Sequence, residues 1–176
     1  MLRSTVDPLP TTDTGKLAEQ YERYADGAVR LAYLMTGDLP LAEDLVQDAF
    51  VRLAGRLVHL RDPGAFEAYL RKAVVNLSRS HFRRKKVERA YLARAGGEIE
   101  LRGGVSSGGS IEDRDALWQA LQQLSSRQRV AIVLRFYEDL PEQEIAEILK
   151  CRPGTVKSLV SRGLETMRRE IRGEDR

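Results

Sequence analysis

Apolar side chains in the first half of the chain recur every three or four residues, which is the spacing of one face of a helix. The pattern predicts a first helix from about Lys16 to Thr36, ended by Gly37, because glycine readily adopts the left-handed conformation that closes a helix. A second helix is predicted from about Pro40 to Arg56. Its inward stripe consists of Ala42, Leu45, Val46, Ala49, Phe50, Leu53 and Leu57.

A third helix is predicted after a break at residues 59–62. Asp62 has the side chain of a helix N-cap, and Pro63 suits the first helical position. The helical pattern fades near Ala95. The predicted inner face consists of Phe66, Leu70, Ala73, Val74 and Leu77.

Helical spacing resumes near Glu112 in the last third of the chain. The sequence from Ser125 to Gln128 fits a capping box, in which the first and fourth residues cap each other's backbone amides, and predicts the start of a further helix. The predicted inward residues of these two helices are Leu117, Leu121 and Leu124, then Val130, Val133, Leu134 and Tyr137.

Two short helices and a tight turn are predicted from Leu140 to Leu164. Pro141 falls in the first turn of one helix and Pro153 near the start of the other, where proline costs little. Apolar residues would dock the second helix on the first, and its outer face would present Thr155, Lys157, Ser158, Ser161 and Arg162. Hydroxyls and cations suit base edges and phosphates, so we predict a helix-turn-helix that enters a DNA major groove; the alternative is a helical hairpin with a solvated basic face.

A change of composition separates the two helical halves. Six glycines and three serines lie between residues 96 and 110, which predicts a flexible linker over residues 96–111. Residues 1–15 are rich in proline, threonine and aspartate and are predicted to form a disordered tail. With no convincing strand, we predict an all-α protein of two small helical domains, residues 16–95 and 112–176.

Charge is unevenly distributed along the chain, although the net charge is only +3. Residues 79–94 contain seven lysines and arginines against one acid, whereas residues 38–50 contain four acids and no base. The first segment suits a polyanion and the second a basic surface.

The sequence lacks the residues that several classes of function require. A single cysteine, Cys151, excludes an internal disulfide, and neither a metal-ligand histidine pair nor a phosphate-binding loop occurs. The two histidines, His59 and His81, have no carboxylate and nucleophile arranged around them, so we predict no catalytic residue, metal or cofactor. Without a signal peptide or an apolar run of membrane-spanning length, a cytoplasmic protein without membrane association is expected.

Three motifs occur in series along the chain. They are Asp44-Leu-Val-Gln-Asp-Ala-Phe50, then Ala73-Val-Val-Asn-Leu77 with Arg83-Arg84 after it, then Glu144-Ile-Ala-Glu-Ile-Leu149 through Gly154-Thr-Val-Lys-Ser158. Their order and spacing resemble the extracytoplasmic-function (ECF) sigma factors, the two-domain initiation factors of bacterial RNA polymerase, and within them the actinobacterial SigE-like subfamily. The resemblance covers nearly all of residues 16–171 except the linker. One departure is Lys150, where glycine is frequent in the family.

The resemblance implies partners and residue roles. Residues 16–95 would be sigma region 2 and residues 112–176 sigma region 4. Core RNA polymerase would be bound through the clamp helices of its largest subunit and its flap, and the residues matching the clamp-binding role are Asp44, Gln47, Asp48 and Val51. An anti-sigma factor is a further partner that the resemblance allows.

Promoter DNA is the other implied partner. The third helix and the loop before it match the part that recognises the −10 element and captures a flipped base, so the predicted −10 residues are Arg61, Asp62, Asn76, Arg79, Arg83 and Lys86. The helix-turn-helix matches the −35-reading domain, with predicted contacts from Arg152, Thr155, Lys157, Ser158, Ser161 and Arg162.

Two other functions compete with this reading. A transcription regulator with a similar C-terminal helix-turn-helix would need a ligand pocket or an α/β receiver domain, and residues 16–95 show no βα alternation. An enzyme acting on nucleic acid would need the catalytic groups that are missing from the sequence pattern.

Overall fold

The computed structural model describes residues 11–57, 65–94 and 112–173. This part of the chain forms seven α-helices and no strand, so the prediction of an all-α fold is confirmed. The helices are α1 (Thr11–Thr36), α2 (Leu39–Leu57), α3 (Ala65–Arg94), α4 (Glu112–Gln123), α5 (Ser126–Ile132), α6 (Glu142–Leu149) and α7 (Pro153–Arg172), and a π-helical segment (Val133–Tyr137) follows α5 directly.

Helices α1, α2 and α3 pack around one apolar core. Every inward residue predicted for α2 and α3 is buried, except that Ala73 is only partly buried and the side chain of Leu57 lies outside the described part. Phe50 is at the centre of this core, with ring centroids 4.9 Å from Tyr21 and 5.8 Å from Phe66. These three helices form the N-terminal domain, which holds the acidic and basic segments in fixed positions.

The ends of these helices follow local chemistry. Gly37 adopts a φ of +75° after α1, and the Asp38 carboxylate accepts a hydrogen bond of 3.0 Å from the Leu41 amide at the start of α2. Helix α1 begins at Thr11, so residues 11–15 are helical and not part of a tail. No proline follows Pro10 there, and Thr and Asp suit a first turn. The predicted cap at residues 62 and 63 lies outside the described residues.

Helices α4 to α7 form the C-terminal domain. The capping box is confirmed, because the Gln128 amide donates to Ser125 Oγ at 3.4 Å and the Ser125 amide donates to Gln128 Oε1 at 3.1 Å. Gly163 of α7 allows close packing on α5, since a Cβ atom there would lie 2.7 Å from Ile132 Cδ1.

Two predicted inward residues of this domain are exposed. Leu117 is 52% exposed because α4 is rotated to bring Trp118 inward, where its ring stacks on Tyr33. Tyr137 is 46% exposed because it is the last residue of the π-helical segment, in which the Glu138 amide donates to the Val133 carbonyl five residues earlier. A wider turn rotates the next residues away from the face that a 3.6-residue period predicts.

The two domains are in contact. Helices α1 and α3 contact α5, α1 contacts the π-helical segment, and α3 contacts α6. The Tyr33 and Trp118 rings stack across this boundary with centroids 4.7 Å apart. The sequence predicted two domains but not this interface.

Candidate functional site

An exposed polar stripe runs along α2. Asp44, Gln47, Asp48 and Val51 are all exposed, Val51 to 68%, whereas the apolar residues between them are buried in the N-terminal core. Positions three, four and seven residues apart lie on one side of a helix, so these four side chains form one surface. It presents two carboxylates, an amide and an apolar side chain to solvent.

A shallow groove between α1 and α2 adjoins this stripe. Its volume is about 510 Å³, and its polar lining includes Asp26, Arg30, Glu43 and Gln47. Gln47 belongs both to the groove and to the stripe. The acidic surface of α2 therefore extends toward α1 and is not limited to the predicted residues.

A second polar face belongs to α3. Asn76 and Arg79 are partly buried, and Arg83 and Lys86 are exposed one and two turns further along. The predicted −10 residues Arg61 and Asp62 lie outside the described residues. Arg83 and Lys86 are thus accessible from solvent, whereas Arg79 occupies a more enclosed position.

Arg79 reaches the C-terminal domain. Its guanidinium donates a hydrogen bond of 3.3 Å to the backbone carbonyl of Ile148 in α6. Burial lowers the pKa of Arg79 from its usual value, and the neighbouring charges of Arg127 and Arg83 lower it further, while Cys151 opposes them. The residue nonetheless remains a cation near neutral pH.

His81 and Phe82 follow on the same helix. Their rings meet edge to face with centroids 6.0 Å apart, and both side chains are partly buried. Burial and the positive charges of Lys85 and Arg84 lower the pKa of His81, against an opposing effect of Asp38. The imidazole is therefore mainly neutral at pH 7 and adds little to the positive charge of α3.

The helix-turn-helix is formed by α6 and α7. Ile145, Leu149 and Val156 are buried, and the two helices are in contact. Lys150 makes the turn in the left-handed conformation with φ of 52°, and Pro153 begins α7 as predicted. The second helix is thus fixed to the first by its apolar side.

The predicted −35 residues lie on the outer side of α7. Arg152, Lys157, Ser158, Ser161 and Arg162 are exposed, and Thr155 is partly buried. The Ser158 hydroxyl donates to the Gly154 carbonyl at 2.9 Å, which leaves its oxygen able to accept a further hydrogen bond. This face offers cations and hydroxyls, the groups that contact phosphates and base edges.

Three charged residues at the domain interface were missed by sequence reasoning. Arg129 is only 8% exposed and bonds to carbonyls of both domains, and Arg71 of α3 forms an ion pair with Glu138. The sequence gives one signal for Arg129, which is that Val130 and the residues after it in the same helix are apolar. A charged residue in that position needs a partner from elsewhere.

Other kinds of site find no support in the part of the chain that the structure describes. There, no group of three or more His, Cys, Asp and Glu residues is placed to hold a metal ion. None of the helices in the described ranges is long and apolar enough to cross a membrane.

A helix-turn-helix domain and a helical domain with separate acidic and basic faces define a two-domain DNA-binding protein. Comparison with known families identifies both parts. Residues 20–88 match the family described as sigma-70 region 2, and residues 114–167 match the family described as sigma-70, region 4.

Whole-chain relatives agree with these matches. The chain is 33% identical to the RNA polymerase sigma-E factor of Streptomyces avermitilis over 161 residues, which cover 89% of this chain and 86% of the relative. It is 27% identical to the ECF RNA polymerase sigma factor SigW of Bacillus subtilis, covering 98% and 97% of the two chains. This protein belongs to the ECF sigma factors, which are transcription initiation factors of RNA polymerase and not enzymes.

A solved structure has the same overall fold. It is the sigma factor RpoE in complex with the anti-sigma factor NepR from Bartonella quintana, with a TM-score of 0.67 and 26% identity. The match covers 92% of this chain and 99% of that one.

Proposed function

We propose that this sigma factor binds core polymerase through the α2 stripe, reads the −35 element with α7 and captures the −10 element with α3. The observation that carries the proposal is the exposed stripe of Asp44, Gln47, Asp48 and Val51, whose opposite face forms the core of the domain. A surface so placed is available to a partner without any change in the fold.

The α2 stripe is suited to a basic helical partner. Carboxylates spaced one turn apart accept charge-assisted hydrogen bonds from arginines, and Val51 adds apolar contact at the same surface. We assign this role to the clamp helices of the largest polymerase subunit. The flap of the polymerase would meet the C-terminal domain.

The α7 face is suited to duplex DNA. The cations Arg152, Lys157 and Arg162 would contact phosphates or base edges, and the hydroxyls of Ser158 and Ser161 would contact base edges. Helix α6 would cross the backbone, which is the usual docking of a helix-turn-helix. These contacts would position the factor before the strands separate.

The α3 face is suited to single-stranded DNA. Asn76 can both donate to and accept from a base edge, and Arg83 and Lys86 would follow the phosphates. Capturing an unpaired base offsets an unstacking cost of a few kcal/mol, so this step nucleates promoter opening without ATP. Residues Arg61 and Asp62 are assigned to the same base-binding loop from the family motif.

The cellular setting follows from these partners. A factor that joins RNA polymerase at promoters acts in the cytoplasm. An anti-sigma factor is a further proposed partner, since the RpoE structure contains one.

The test of polymerase docking is charge reversal on α2. The double variant Asp44→Arg, Asp48→Arg should fail to co-elute with core polymerase in gel filtration and lose promoter-dependent transcription by at least about tenfold, because two attractive contacts become repulsive. The circular dichroism spectrum should stay unchanged, since both residues are exposed.

The matched control reverses two other exposed acids of the same domain. The variant Glu19→Arg, Glu22→Arg on α1 makes the same change in net charge and should still assemble with core polymerase. Equal assembly of the two double variants would refute the assignment of the α2 stripe.

A further inference from the structure

The last part of α3 extends beyond the core of the N-terminal domain. Phe82 is partly buried, whereas residues 83–88 and Tyr91 are all exposed. Helices in proteins owe most of their stability to an apolar face that packs on a core. Residues 83–91, which we call the distal segment, therefore present a surface that is available to a partner.

The distal segment is strongly basic. Arg83, Arg84, Lys85 and Lys86 are exposed in succession, and Glu88 is the one acid in the sequence of residues 83–91. A dense run of positive charge raises the local concentration of polyanions and repels basic surfaces. Charge complementarity therefore favours nucleic acid as the partner of this segment.

Two apolar side chains lie among these cations. Val87 is 65% exposed and Tyr91 is 73% exposed, and because they are one turn apart they form a continuous apolar strip. Valine and tyrosine are poorer helix formers than arginine, lysine and glutamate, so helix propensity does not explain them on a solvated surface. Cations contact phosphates, and apolar side chains contact the methyl groups of thymine in the major groove. This combination fits duplex DNA.

The apolar strip continues the face of α3 that is assigned to the −10 element. Asn76, Arg83, Val87 and Tyr91 follow one another at intervals of seven or four residues and so share one side of the helix. At 1.5 Å per residue Tyr91 lies about 22 Å beyond Asn76, which is the length of about six or seven base pairs. The chain after α3 leads to the C-terminal domain, so the distal segment extends toward the proposed −35 contact.

The contact between the domains leaves this strip accessible. In the described part of the chain, the polar contacts of α3 with the C-terminal domain come from Arg71, which bonds to Glu138, and from Arg79. The side chains of Val87 and Tyr91 are exposed in the same arrangement. The strip can therefore meet DNA whether or not the domains are in contact.

We propose that the distal segment binds the duplex immediately upstream of the −10 element, with Arg84 at a phosphate and Val87 and Tyr91 in the major groove. This inference rests on the proposed role of α3 at the −10 element and adds a second, duplex contact to it. Lys85 lies outside the surface, because it is two residues from Arg83 and from Val87 and so falls on the opposite side of the helix.

The test measures what upstream duplex adds to the binding of the −10 element. The full chain is assembled with core polymerase, and a promoter is found by sequencing the start sites of transcripts that this holoenzyme makes from genomic fragments. The short probe is the non-template strand of its −10 element alone. The long probe adds about ten base pairs of upstream duplex and stops before the −35 element. The ratio of the two affinities is the long-probe advantage.

The double variant Val87→Ser, Tyr91→Ser should reduce the long-probe advantage about tenfold, because burying two apolar side chains against DNA contributes at least that much to affinity. Binding of the short probe, co-elution with core polymerase and the circular dichroism spectrum should stay unchanged, since both residues are exposed.

Two neighbouring cations provide a matched pair for the phosphate contact. Arg84 lies on the side of Val87 and Tyr91, whereas Lys85 lies on the opposite side, and both are exposed. Arg84→Gln should lower the slope of log affinity against log salt on the long probe by about 1, because one phosphate contact is lost. Lys85→Gln removes the same charge and should leave the slope unchanged.

Each result supports or overturns the inference. Loss of co-elution in the Val87→Ser, Tyr91→Ser variant would mean that the segment binds polymerase, which overturns it. Equal losses on both probes, or equal slopes in Arg84→Gln and Lys85→Gln, would overturn it as well. If Asn76→Ala bound the short probe like the wild type, the proposed role of Asn76 would be wrong. A reduced long-probe advantage in the double variant would still support the duplex contact.

Discussion

Arg129 shows how one buried cation joins three segments of the chain. Its guanidinium donates to the carbonyls of Met35, Gln122 and Leu124 and to the Gln122 side chain, at 2.6 to 3.3 Å. All four acceptors are neutral oxygens, and burial lowers the pKa of Arg129 to about 10. It therefore remains protonated at neutral pH and binds the end of α1 to the end of α4.

Replacing Arg129 by lysine should destabilise the protein by about 2–3 kcal/mol in urea unfolding, because a compact ammonium cannot reach four acceptors that a planar guanidinium reaches. The control is Arg127→Lys at an exposed position nearby, which should change stability by less than about 0.5 kcal/mol. Similar losses in both variants would contradict the role assigned to Arg129.

The contacts of a residue were predictable from sequence where its partner lies a few positions away, and they were not predictable where its partner is distant in the chain. The capping box of Ser125 and Gln128 depends on contacts three residues apart and follows from sequence alone. The bond from Arg129 to Met35 spans 94 residues, so no local pattern specifies it. The exposed face of α7 was predicted because the apolar stripe of the helix faces the core, so the polar residues on its opposite side face solvent.

At the scale of the helices, the sequence predicted the buried face correctly wherever the 3.6-residue repeat continues along the whole helix. The buried stripes of α2 and α3 follow the 3.6-residue repeat and match the prediction. The π-helical segment breaks that repeat, which is why Tyr137 is exposed. The extended start of α1 was missed because composition alone assigned residues 11–15 to a tail.

The turn between α6 and α7 holds a residue in a conformation that glycine adopts more easily. Lys150 has φ 52° and ψ 54°, in the left-handed region. Lys150→Gly should therefore stabilise the protein by about 0.5–1 kcal/mol, because the steric cost of the left-handed conformation exceeds the added chain entropy of glycine. Urea unfolding measures the change.

The control places the same substitution inside a helix. Lys157→Gly in α7 should destabilise the protein by about 1 kcal/mol, since glycine weakens a helix interior. A loss of stability in Lys150→Gly as large as that in Lys157→Gly would show that the turn does not favour glycine.

At the scale of the whole molecule, sequence indicated two domains but not their contact. Glycine-rich composition between residues 96 and 110 predicts freedom between the domains. The structure instead joins them through side chains and helix ends, which only folded domains bring together. The predicted linker lies outside the described residues, and it is compatible with this interface because the free energy of the interface decides whether the domains stay together.

Gly37 tests whether this interface stabilises the whole chain. A Cβ atom at Gly37 would lie 2.6 Å from Oε1 of Gln122, so Gly37→Ala must displace a side chain that accepts a hydrogen bond from Arg129. Gly173 has a similar φ of +68° with no atom within 4 Å, so Gly173→Ala carries only the backbone strain, about 1 kcal/mol. Gly37→Ala should cost about 1–2 kcal/mol more than Gly173→Ala in urea unfolding. Equal costs would contradict a stabilising role for the Gln122 side chain at the end of α1.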